Sequence, residues 1–385
     1  MTNIIKEIEI ILNDPDQNNL SGDKLKPLTD LILSDSKYDI FFDHCHKLGA
    51  SSGICFNQVN EFPNQVVRRA KEVGSKQTIK EIDNYLNERQ VAIECGLLLY
   101  SIYLDTEFTF SNGVRLIRIQ SLKDSTLIDF LSKEHISTGG ISTALLVIDY
   151  TTPKEVSSSI FSESRKSDWT KINTKTDLIK ILDDTRLILS LGRHPSYGIP
   201  VVGSFEIIPD NLKFLNNGVG YGIYSESRTA FGPELLELEM NRADELLKKF
   251  NSLPCEDQDK IRVAAKRLND AKIDSNWANK SINLRICLEN LFCTPDSLGI
   301  RQAISERAPT YTSFSKTRAG NIYKFLSRAV HTGIPAEHEE INENMIIPEI
   351  HKTIIQYIQN GGYPEWPPKK RMNRLQKLWS SIKSS

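Results

Sequence analysis

The sequence predicts an α+β protein, with a mixed α/β N-terminal region followed by an all-α helical bundle. Two observations carry that prediction. Between residues 91 and 232 the apolar residues come in short runs divided by turn-forming pairs such as Asn112-Gly113. From Pro233 onward they recur at helical spacing over long stretches. A chain of 385 residues with 39% hydrophobic and 25% charged residues has material for more than one average domain.

The first 90 residues read as a helical N-terminal segment. Ile4, Ile5, Ile8 and Leu12 fall at helical spacing, and so do Leu25, Leu28, Leu31 and Ile32. Pro63 opens a short basic helix that reaches Val73, and Ser75 caps another that runs to Glu88. From Val91 the texture changes. The run from Val91 to Leu104 contains Glu94 and is shorter than the ~18–20 residues a membrane-spanning helix needs. Phe108–Phe110, a Ser-Asn-Gly turn and Val114–Ile119 predict a β-hairpin. Ala144–Tyr150 predicts a buried strand, 157–168 a loop, Thr176–Leu191 a helix, and Ile199–Ile208 and Gly220–Tyr224 further strands. Residues 91–232 are therefore expected to form a mixed α/β domain of no familiar type.

Residues 233–361 are the bundle. Pro233 suits the first turn of a helix, and Leu236, Met240, Ala243, Leu247 and Phe250 then share one helical face. Ile261, Ala264, Ala265 and Leu268 mark the next helix. Ser281–Cys293 is apolar almost all round and predicts a central buried helix. Ser297–Ala308, Ser313–His331 and Asn342–Gln359 complete the set, and 362–385 is a basic tail.

A formal net charge of −1 excludes a uniformly basic nucleic-acid binder, so any phosphate contact needs a local patch. The first residues carry acids where a secretory leader needs a basic and then an apolar region, which predicts a cytoplasmic protein without a membrane partner. The six cysteines form no CxxC pair, and Cys287 and Cys293 read as core thiols. His44-Cys45-His46 with Cys55 lacks the ligand spacing of zinc sites and is expected to be a loop. No metal and no other cofactor is expected. Gly218, Gly220 and Gly222 read as turns, and Arg193-His194-Pro195 as surface.

The stretch ending at His331 carries the most chemistry. Ile322, Phe325, Leu326, Ala329 and Val330 face the core, while Lys324 and Arg328 lie on the opposite side with His331 in line. The carbonyl end of the helix favours an imidazolium there, and the charge of Arg328 opposes it.

Tyr323, Ser327, Val330 and His331 match in register the pattern Tyr-x-x-Arg-Ser-x-x-Val-His-Gly, with Gly333 one place late. Upstream, Ile286 to Phe292 gives an apolar run with Leu288-Glu289 and Leu291-Phe292, preceded by Ala264-Ala265 and Arg267-Leu268. These blocks resemble the HEPN family, best of all its ApeA-like branch, from about Glu234 to Gly361. The resemblance implies a HEPN-like helical bundle and a metal-independent endoribonuclease of a prokaryotic defence or toxin system, with its site shared across a homodimer. Carried over residue by residue, it makes His331 the acid–base group and Arg328 or Lys324 the phosphate-binding cation. Glu289, Tyr323 and Ser327 become supporting residues.

The family's arginine position holds Leu326, and Lys324 is the basic residue at the widest motif spacing. A second function therefore stands beside the first: a catalytically lapsed module used for dimerisation, ligand sensing or partner binding. The partners implied are RNA, a second copy of the chain and a defence-system protein. Lys369, Lys370, Arg371 and Arg374, interleaved with Trp366 and Trp379, are candidates to hold RNA by charge and stacking.

Overall fold

The structure, a computed structural model, describes residues 2–15, 20–42, 44–47, 53–56, 58–100, 102–121, 143–158, 174–207, 209–215, 220–223, 235–295, 297, 299–332, 341 and 343–366. It is an α+β fold whose C-terminal part is helical.

The N-terminal layer is built from α1 (Thr2–Leu12), α2 (Gly22–Leu33), α3 (Glu61–Val73) and α4 (Ser75–Asn87). Ile4, Ile8, Leu25 and Leu28 pack together as the spacing predicts, with Val66 and Ile82 from α3 and α4 in the same core. Arg69 joins α3 to α4 through two bonds to the Glu81 carboxylate, at 2.9 and 3.0 Å, with both side chains buried. The first 90 residues are nevertheless not helical throughout. β1 (His44–Lys47) and β2 (Gly53–Cys55) form an antiparallel pair where the sequence suggested a loop.

Next come β3 (Gln90–Tyr100), β4 (Phe108–Thr109), β5 (Arg115–Arg118), β6 (Thr143–Pro153) and β7 (Glu155–Ser158). The last of these pairs with β1, so β6 and β7 run one stretch of chain through two sheets. Between them, Lys154 donates to the carbonyls of Tyr85 and Leu86 at 2.6 and 3.1 Å and so caps the end of α4. The 157–168 loop of the sequence reading begins as strand, and its residues from 159 lie outside the described residues.

β3 was not legible as a strand, yet it is central. With β8 (Val201–Ile207) and β9 (Gly220–Ile223), the antiparallel order is β4-β5-β6-β3-β8-β9. Cys95, Leu97 and Leu99 of β3 point into the main core, and Leu98 joins Leu145, Val147 and Val202 on the far face. Burial on both faces produces a continuous apolar run rather than an alternation. The hairpin turn at Asn112-Gly113 is as predicted, with Gly113 at φ +85°.

The helix buried on all sides is the second half of α5 (Thr174–Gly192), not the 281–293 segment. Every residue from Thr185 to Arg193 is buried, because α5 lies between the sheet and the bundle of α6 (Glu237–Asn251), α7 (Cys255–Ile273), α8 (Trp277–Phe292), α9 (Ile300–Arg307), α10 (Lys316–Thr332) and α11 (Glu343–Gln359). In α8 one face is buried, through Leu284, Cys287, Leu288 and Leu291, while Ile282 is exposed. Gly192 permits the close approach of α5 to α6: a Cβ there would stand 2.7 Å from the carbonyl oxygen of Glu239. Arg262 of α7 holds Asp184 of α5 in a two-point bridge at 2.5 and 2.9 Å.

One hydrophobic core runs from Leu97 and Leu146 in the sheet, through Leu187 and Leu191, to Met240, Leu268 and Ile350. It crosses residue 233 without interruption. Leu235, the first described residue of the bundle segment, donates its N–H to the Tyr103 carbonyl at 2.9 Å. At the other end Trp366 packs on Tyr311 and lies 4.9 Å from the Arg307 guanidinium, so this tryptophan is part of the bundle rather than of the basic tail. Among the described residues no helix is long and apolar enough to cross a membrane.

Candidate functional site

α10 displays the pattern that the sequence gives it. Ile322, Tyr323, Phe325, Leu326 and Ala329 are buried, Ser327 is half-buried, and Lys324 and Arg328 are exposed. His331 stands in the last turn of α10, and its side chain lies outside the described residues. Lys369, Lys370, Arg371 and Arg374 also lie outside them.

Glu289, an acid on a half-buried helix, is paired as its surroundings require. Its Oε1 accepts Nε–H of Arg285 at 2.7 Å and the hydroxyl of Tyr323 at 2.7 Å. The Arg285 guanidinium lies 5.6 Å from the Tyr323 ring centre. Burial raises the Tyr323 pKa, the bond to Glu289 adds to the rise, and a side-chain bond with Ser327 opposes it. The bond to Glu289 in turn raises Arg285. This cluster fixes α10 against α8 and leaves Lys324 and Arg328 on the outside. Its effect is positioning: two cations displayed on a pinned helix whose last turn includes His331.

A second polar cluster was not found in the sequence. Lys272 on α7 donates to the carbonyl and hydroxyl of Ser190, at 3.2 and 3.4 Å, and to Nδ1 of His351 on α11 at 3.3 Å. His351 donates its Nε2–H to the Leu191 carbonyl at 2.8 Å, which leaves the Nδ1 lone pair for Lys272. Two side chains from the bundle thus satisfy carbonyls at the buried end of α5. Burial, with the nearby Arg193 charge, pulls the Lys272 pKa down to about 7. Burial and the Lys272 charge hold His351 well below the ordinary imidazole value. Next to them, Asn269 accepts the Ile199 N–H at 2.8 Å and donates to the Ile199 carbonyl at 3.2 Å. Lys272 and His351 are far apart in sequence and sit in no motif, so only the fold brings them together.

Elsewhere, Arg193 is buried rather than superficial, whereas His194 is exposed. His46 is enclosed by Phe41 and Tyr85, bonds the Tyr85 hydroxyl at 2.8 Å, and is pulled by burial down to about 4. Cys45 stands opposite Cys55 in the strand register. Burial raises Cys287, the core thiol the sequence predicts, whereas Cys293, pushed up to about 11 by burial, is only half-buried just past the end of α8 and is not a core thiol. Among the described residues no group of three or more His, Cys, Asp or Glu is placed to hold a metal ion. Comparison with known proteins gives no match: no family model, no curated protein and no solved structure is significantly similar to this chain.

Proposed function

We propose that the bundle is a HEPN-like module that acts on RNA as a metal-independent endoribonuclease in a prokaryotic defence or toxin system. One observation supports this above others. Lys324 and Arg328 are exposed along the outer side of α10, which Glu289 pins through Tyr323 and which carries His331 in its last turn. An RNA backbone laid along that strip would meet two cations and then an imidazole. On this reading His331 takes the proton of a 2′-hydroxyl as its oxygen attacks the adjacent phosphate. Arg328 or Lys324 stabilises the charge that builds on the phosphorane. The 5′-oxygen leaves with a proton from the second histidine of a dimer, and a 2′,3′-cyclic phosphate remains. The site would then be shared by two copies, with a defence-system protein as a further partner. The test is purified protein against tRNA and mRNA in EDTA, with the cleavage ends mapped. Cyclic phosphate ends are expected, and intact RNA would overturn the enzymatic reading.

A specific observation favours a second reading. Leu326, at the family's arginine position, is fully buried in the core. A bundle repacked around leucine at that place is suited to a lapsed module for dimerisation, ligand sensing or partner binding. Sedimentation at micromolar concentration bears on both readings. A strict monomer would exclude the shared site.

A further inference from the structure

A cleft of about 560 Å³ opens where the chain leaves α5, between α6 and α11. That volume lies within the range of small-molecule sites. The charged and titratable residues that border it are one-sided: Arg193 and His194 from the α5 exit, Arg242 from α6, and His351 and Lys352 from α11, with a single carboxylate, Glu239. Both oxygens of that carboxylate already accept backbone amides, from His194 and from Leu236, each at 3.2 Å. Arg193, Arg242 and Lys352 against Glu239 leave a formal surplus of two positive charges around the cleft. Arg193 is only 1% exposed and His351 2%, so part of this charge-bearing wall is built into the core.

The rest of the wall is apolar. Pro195, Pro348 and Ile355 line it, together with Leu238, which at 77% exposure is the most exposed large apolar side chain among the described residues. The capping of α5 accounts for Lys272 and His351 but not for the convergence of Arg193, Arg242 and Lys352 on one hollow. We propose that this cleft binds a small phosphate monoester with an apolar body. The phosphate is held by Arg242 and Lys352, with the buried charge of Arg193 behind them, and the body covers Leu238, Pro195 and Pro348. A phosphate monoester carries about −1.5 to −2 charge at neutral pH, which matches the surplus, and its oxygens suit arginine forks. The site shares no residue with the α8–α10 cluster, so it stands whether or not the chain cleaves RNA.

The experiment is calorimetric titration of the full chain, at low salt and pH 7, with phenyl phosphate, inorganic phosphate and benzoate. Phenyl phosphate should bind saturably with one site per chain, and about tenfold or more tighter than either comparison compound. Arg242→Ala and Lys352→Ala remove exposed side chains and leave the core intact. Each should weaken phenyl phosphate by about tenfold. No saturable binding up to millimolar concentration would overturn the proposal. So would two folded variants that bind as the wild type does. Benzoate binding as tightly as phenyl phosphate would overturn the phosphate assignment.

Discussion

The hydroxyl of Tyr323 on α10 donates to Oε1 of Glu289 on α8 at 2.7 Å, and that same oxygen accepts Arg285 at 2.7 Å. One carboxylate oxygen therefore carries two donors from two helices. The tyrosine bond is the one that crosses between helices, and Arg285, four residues before Glu289, holds the acceptor in place.

Tyr323→Phe keeps the ring beside Arg285 and deletes only the crossing bond. A hydrogen bond to a charged acceptor is worth about 1.5–3 kcal/mol. Urea denaturation should show a lower midpoint with an unchanged slope. An unmoved midpoint would show that the bond adds nothing to the fold.

If the bundle cleaves RNA, His331→Ala should lower the rate by about 10²–10⁴-fold, the usual share of general acid–base catalysis. Stability should change by about 1 kcal/mol or less, as for a histidine at a helix end. Of Lys324→Ala and Arg328→Ala, the one with the larger loss identifies the phosphate cation. Cleavage that survives His331→Ala unchanged would remove the histidine from the mechanism.

Lys272 gives the fold a pH dependence whose sign can be worked out. Its ammonium loses its proton near 7 when folded and near 10.5 when unfolded. Between those values the unfolded chain binds more protons, so stability should rise with pH across that window, by at most about 1.4 kcal/mol per pH unit from this group. Lys272→Met should flatten that rise. The variant should compare best with wild type near pH 6 and worst near pH 10, because only the wild type gains stability across that window; the stranded Ser190 carbonyl lowers the variant at every pH. Parallel stability curves for the two proteins would show that Lys272 titrates normally.

A fragment that begins near Gly232 should be helical yet poorly packed. α6 loses its contact with α5, and Met240, Ala243 and Leu247 belong to the core that α5 and the sheet complete. Dye binding to exposed apolar surface and a broad thermal transition are expected. A sharp cooperative transition without dye binding would show that the bundle stands alone.

Much of the fold could be read because its signals are local. The Asn112-Gly113 turn, the α6 and α10 faces and the Ile4/Ile8 stripe each state their own structure within a few residues. α5 was read as a helix but not as the buried centre, and β3 was not read as a strand, since an element buried on all sides has no polar face to set a period. At the candidate site, the need of Glu289 for a partner was legible, and Arg285 lies one turn before it. The cluster of Lys272, His351 and Asn269 was not, because its members serve backbone groups of Ser190, Leu191 and Ile199 that lie 70 or more residues away.

The placement of α5 limits how the two halves of the molecule can communicate. The helix is packed into the sheet on one side and locked by Arg262, Lys272 and His351 on the other. A hinge between the halves would have to strip that helix from one of its neighbours and leave buried carbonyls and a carboxylate without donors. Sliding or rotation of α5 in place costs less, since it can exchange one set of partners for another. Any signal that passes from the sheet to α11 should therefore travel as a displacement of α5 by an ångström or so, felt at the Lys272–Ser190 and His351–Leu191 bonds.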